Sequence, residues 1–291
     1  MESADKPTES REPSATSALL GSVNTRAYPA FISKASLLNL ASEKADQLLR
    51  HPNVFLTSGI LRAYVELQTT LHQPGSLADA FHLYANKPVP TPSSTNSDVI
   101  YKDASPSALN AAVDSKTANL ALDSALATHD LNLAIDIITT TFATQAFKRA
   151  KILQRGLLPA SALVILPLGA WTLATQFAQN FQSTMSPGYA TGVAFAGTLA
   201  YLAHVSTIGY VAITTSNDQM ERVTWAQGVP LWERWIREEE RAALDRVAVA
   251  WGFAEREKRG EEDGEEWGLL KEFAGLRGMV LDRVELMEGM E

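Results

Sequence analysis

The chain has 291 residues, a net charge of −8 and no cysteine. The absence of cysteine excludes disulfides, thiolate zinc sites, cysteine nucleophiles and iron–sulfur ligation. The acidic excess lies wholly from Asp218 onward. No broad basic patch is present, so direct nucleic-acid binding is not expected.

Residues 1–32 are rich in Ser, Thr, Pro and charge, the composition of a disordered tail. No apolar core of a secretory signal follows Met1. Glu2, Asp5, Glu9 and Glu12 are also wrong for a mitochondrial presequence, which is rich in Arg and poor in acid. Residues 33–150 read as an α-helical domain. Leu37, Leu40, Ala41, Ala45, Leu48 and Leu49 recur at helical spacing until Pro52. A second run carries Leu56, Ile60, Leu61, Tyr64, Val65, Leu67 and Leu71, and Gln73-Pro74-Gly75 breaks it. Ser76 is placed to cap a short helix with Leu77, Ala80, Phe81 and Tyr84. Residues 87–106, with Pro88, Pro90, Pro92 and Pro106, read as an exposed linker. Helical spacing resumes at Ser107, and Asp130 is placed to cap a helix carrying Leu131, Leu133, Ala134, Ile137, Ile138 and Phe142. No period-two pattern competes, so the predicted fold class is all-α.

Two places in this domain are alike. Pro74-Gly75-Ser76-Leu77-Ala78-Asp79-Ala80-Phe81 and His129-Asp130-Leu131-Asn132-Leu133-Ala134-Ile135-Asp136 each set a polar turn before a helix with a small Ala. This resembles the helix–turn–helix unit of tetratricopeptide and pentatricopeptide repeats, in which the small residue lets paired helices approach closely. The resemblance implies a repeat-like domain and assigns no RNA contacts.

Two uncharged apolar stretches come next, 157–178 and 189–214. At ~1.5 Å of rise per residue, each makes a helix of roughly 30 Å, the thickness of a bilayer's hydrocarbon core. The short connector holds Pro187-Gly188, so the pair reads as a transmembrane hairpin contacting the lipid bilayer. Lys148, Arg149, Lys151 and Arg155 precede the first stretch, and the connector carries no charge. The positive-inside rule then puts both termini on one side. Ala170, Ala174 and Ala178 form a small-residue stripe on the first helix. Gly192, Ala196 and Ala200, continued by His204, form one on the second. Both are expected to pack helix on helix. Pro159 is expected in the first helical turn, and Pro167 within the helix.

Residues 218–291 read as an acidic helical tail. One helix is expected from Val229 to about Glu257, then a charged break, then a last helix with Trp267, Leu270, Phe273, Leu276, Val280, Val284 and Met287. Trp225, Trp232 and Trp235 read equally as membrane-surface residues or as an ordinary core face, and with Trp251 they are the candidates for interface or partner contacts. His51, His72, His82, His129 and His204 are scattered without ligand spacing, and no phosphate loop or nucleophile elbow is present. No catalytic residue, metal or cofactor is expected.

The basic flank Lys148–Arg155, the moderate hydrophobicity of both stretches, and the run from Val223-Thr224-Trp225 to Pro230-Leu231-Trp232-Glu233-Arg234-Trp235 together resemble fungal mitochondrial inner-membrane proteins. That resemblance implies an inner-membrane adaptor or assembly factor with both termini in the matrix. It implies a protein partner such as the translation machinery or a respiratory-complex intermediate. Two other expectations stand beside it: a small membrane enzyme or transport component using His204, and an endoplasmic-reticulum hairpin protein with cytosolic termini.

Overall fold

A computed structural model describes residues 34–92, 99–181, 183–215 and 220–282. The expectations for residues 1–32, Val284 and Met287 lie outside these. The chain divides into two units, 1–45 and 46–291, with the division inside helix α1 (Lys34–Arg50). Every element after α1 belongs to the second unit.

The chain is mostly helical. Helix α2 (Ser58–Thr70) starts where Thr57 accepts the Ile60 N–H, and α3 is Leu77–Asn86. Ser76 does not cap α3. Its hydroxyl is instead hydrogen-bonded to the Tyr64 hydroxyl at 2.7 Å, a tertiary contact that replaces the local one. Helices α4 (Ser115–Thr128) and α5 (Leu131–Thr140) come next, and Asp130 caps α5 by accepting from Leu133 N at 3.0 Å. The two helix pairs stack, α2 against α4 and α3 against α5. Ala80 and Ala134 are both buried in this stack with Leu77, Phe81, Ile137 and Ile138.

The stretch 87–106 is not wholly irregular. Strands β1 (Val89–Pro92) and β2 (Val99–Lys102) pair antiparallel, Val89 opposite Lys102 and Pro92 opposite Val99. A two-stranded ribbon tolerates Pro because each strand has one unpaired edge.

Helix α6 runs from Gln145 to Asn180, with Thr144 capping Phe147. The basic flank and the first apolar stretch are thus one continuous helix. Pro159 lies inside this helix, whereas the apolar run alone places it in a first turn. Helix α7 (Pro187–Thr215) packs along α6. Ala170, Ala174 and Ala178 of α6 are buried at the contact, and Trp171 meets Phe195 edge-on at 5.2 Å. Outside that seam much of their apolar length is bare. Val164, Ile165, Leu168, Leu173, Tyr201 and Ile208 are each more than half exposed.

The tail is shorter in its helices than periodicity predicts. Strand β3 (Val223–Trp225) precedes α8 (Leu231–Ile236) and α9 (Glu238–Trp251). The expected single helix breaks at Arg237 (φ −101°, ψ 14°). At the break the Arg237 guanidinium pairs with both Glu233 and Glu240. Helix α10 is Glu265–Leu276. Val280 is not on a continuing helical stripe. A turn at Gly278 (φ +72°), a conformation costly for any side chain, reverses the chain into β4 (Met279–Leu281), which pairs antiparallel with β3.

Candidate functional site: a charged cleft at the root of the long helices

The segments before α6 and after α7 fold into the same body. Helix α9 packs against α4 and α5, and α8 against both long helices. The contact of α9 is polar and aromatic. Arg246 bonds to Asn119 at 3.0 Å and pairs with Asp123, and Trp251 stacks on His129 with ring centroids 4.3 Å apart. The Trp251 indole N–H also donates to Glu266 at 2.9 Å.

A cleft of about 750 Å³ opens between these elements and the long helices. Its polar lining is Ser115, Asn119, Lys151, Arg155, Glu238, Glu239 and Arg246. Its apolar lining is Phe142, Trp235, Ala242, Ala243 and Ile213 of α7. Lys151 is buried and sits over the Trp235 ring. Its ammonium donates to the Trp235 carbonyl and to Glu239. Arg155 pairs with the other Glu239 oxygen at 3.1 Å while 65% of its side chain stays exposed. Burial pulls the Lys151 ammonium below the usual lysine range, against the opposing pull of Glu239. Losing Glu239 leaves that charge uncompensated. Glu239→Gln should therefore destabilise the fold by about 3 kcal/mol in thermal melts. A lysine held below its ordinary value favours unfolding where it stays protonated, so the deficit should shrink as pH rises.

A buried ion network fastens the tail to itself. Arg222 is fully buried, with its guanidinium on Asp282 at 2.6 and 2.9 Å, on Glu262, and 4.6 Å from the Trp267 ring centre. Burial raises the Glu262 carboxyl. Arg222 and the N–H groups of Phe253 and Gly260 outweigh it, holding the group down to about 2 from 4.5. Asp245 receives the backbone N–H groups of Glu221, Arg222 and Val223. Glu240 is clasped by Arg237 and Arg277. A depressed carboxyl stabilises fully above its unfolded value and loses that contribution as pH falls through the folded one. The melting temperature should therefore drop between about pH 4.5 and 2. Glu262→Gln should flatten that drop, at a cost on the order of 3 kcal/mol near neutrality.

No protein-family model, curated protein or solved structure matches the chain. Among the described residues no group of three or more His, Asp or Glu is placed to hold a metal ion.

The structure uses the expected site residues unevenly. Ala170, Ala174 and Ala178 lie in the α6–α7 seam. Gly192, Ala196, Ala200 and His204 do not: all four are exposed. The face of α7 turned to α6 is offset by two residues, with Ala190 buried and Ala194, Thr198 and Leu202 half-buried. Both sets have i, i+4 spacing, so spacing alone cannot choose between them. Of the basic flank, Lys148 is half-buried, Lys151 is buried, and Arg149 donates to the Ser107 carbonyl at 2.9 Å. Arg155 keeps a largely exposed side chain. Of the tryptophans, Trp225 donates to Glu238 at 3.2 Å under Arg237, Trp235 lies on Lys151, and Trp251 holds His129. These three are internal contacts. Trp232, stacked on Trp235, is about half exposed. Sequence reasoning missed Arg222, Glu239, Asp245, Arg246 and Glu262. Their partners are distant in the chain, so periodicity carries no signal for them.

Proposed function

We propose that the chain is a membrane-anchored helical adaptor. Helices α6 and α7 form a hairpin in the bilayer and hold one folded body at its surface. The observation that carries this is the exposure of α7. The helix Pro187–Thr215 is long and apolar enough to cross a bilayer, yet only Ala190 and Thr214 of it are buried. A core helix of a water-soluble protein would be covered, and apolar patches this large mark a membrane or a partner. For α6, the reading rests on its uncharged stretch 157–178 and on the exposed Val164, Ile165, Leu168 and Leu173.

The attachment of both hairpin ends to one body supports a common side for the two flanks. Lys148, Arg149, Lys151 and Arg155 favour the negative, non-translocated side. Trp232, about half exposed on α8 beside the long helices, is the indole available to a membrane–water boundary. The stacked pairs α2–α3 and α4–α5 resemble two helical repeats and supply the surface for a protein partner. The mitochondrial inner membrane, with the body in the matrix, rests on the sequence resemblance. On this reading the partner belongs to mitochondrial gene expression or respiratory-complex biogenesis.

Affinity purification with a tag at Glu291 from fractionated organelles tests this function. The expected result is a stable protein partner recovered from mitochondrial inner membrane. Recovery from endoplasmic reticulum would replace the compartment and keep the topology. Recovery from the soluble fraction would refute the anchor.

A further inference from the structure

We propose that the cleft at the root of α6 and α7 binds the phosphate headgroup of an anionic membrane phospholipid; this rests on the membrane reading above. Three observations converge there. The first is position. The cleft is bounded by Lys151 and Arg155 of α6 just before the uncharged stretch, and by Ile213 at the end of α7. In a spanning hairpin these residues lie at headgroup depth. The second is a mixed lining. Cationic side chains line the same space as Trp235, Phe142 and Ile213, the chemistry of an amphiphile with a charged head and an apolar body.

The third is charge. Glu239 is shared by two cations, Lys151 and Arg155. Arg246 is matched by Asp123, and Glu238 by Arg241. Arg155 is thus the exposed cation that shares its carboxylate with a second cation, and its guanidinium keeps donors that can turn toward a phosphate. Guanidinium–phosphate pairs are charge-assisted and often bidentate. Asn119 and Ser115 on α4 add neutral hydrogen-bonding groups to the same lining. A second recess of about 200 Å³ shares Ser115, Lys151, Arg155 and Glu239 and extends the space past Asp114. That carboxylate lies in the recess and disfavours a second anionic group there, which fits a single phosphate in the main cleft.

The test reconstitutes the full chain in lipid discs of phosphatidylcholine doped with phosphatidic acid. Native mass spectrometry then reads the lipids retained on release, and a parallel arm adds inorganic phosphate to detergent-solubilised protein. The wild-type chain should retain phosphatidic acid over phosphatidylcholine by about tenfold, the value of one charge-assisted contact. Arg155→Glu should abolish the preference, and Arg155→Lys should keep most of it. Unchanged selectivity in Arg155→Glu overturns the site. So does inorganic phosphate that raises the melting temperature as much as the lipid does, because the ligand is then a soluble anion. Entry into discs without lipid preference overturns the headgroup site alone. Failure of the wild-type chain to enter discs overturns the membrane reading and the site together.

Discussion

Replacing Arg222 by alanine should destabilise the C-terminal lobe by on the order of 3–5 kcal/mol, the cost of removing one member of a buried ion network. The guanidinium is fully buried and neutralises two carboxylates, Glu262 from the segment before α10 and Asp282 just after β4. Its removal strands both, and it also uncovers Trp267. Gly252→Ala should act through the same group. A Cβ at Gly252 would coincide with the Arg222 guanidinium, which Asp282 and Glu262 prevent from moving aside. Arg222→Ala, Gly252→Ala and the double variant should therefore be non-additive, because both singles disrupt one network. Denaturant melts followed by tryptophan fluorescence measure this. Additive losses would show that Gly252 is limited by something else.

An arginine at Val205 should strongly impair membrane insertion. Val205 is 46% exposed on α7. Arginine near the centre of a spanning helix costs about 2.5–3.5 kcal/mol on the insertion scale. The same exposed substitution in a water-soluble protein falls within about ±0.5 kcal/mol. The two settings thus predict opposite outcomes for one residue. Expressed with a reporter, Val205→Arg should move from the membrane fraction to aggregated or degraded material, whereas Val205→Leu should not. A Val205→Arg chain that folds normally in water would contradict a lipid-facing α7.

Sequence legibility here depends on how local the determining contacts are. Helices with their own caps and apolar faces are legible: α2 and α5 lie where periodicity puts them, and the apolar lengths of α6 and α7 lie where the uncharged apolar runs put them. Boundaries are lost where a tertiary contact overrides local preference. Ser76 serves Tyr64 and not a helix end. Arg237 breaks a strong helical pattern while bonding Glu233 and Glu240. Val280 has helical spacing from Phe273 and Leu276, yet lies opposite Thr224 in a strand pair. The small-residue stripes show the limit most plainly. Ala170, Ala174 and Ala178 lie in the seam, whereas Gly192, Ala196 and Ala200 share their spacing but face outward. The cleft is half legible. Lys151 and Arg155 stand out as charge before an apolar run, but Glu239 and Arg246 become visible only when α9 folds back on α4 and α6.

The proposed hairpin anchor is tested most directly by alkaline carbonate extraction of membranes carrying the intact chain. The chain should stay in the pellet, as an integral protein does. Complete release into the supernatant would contradict the anchor, and with it the adaptor built upon it.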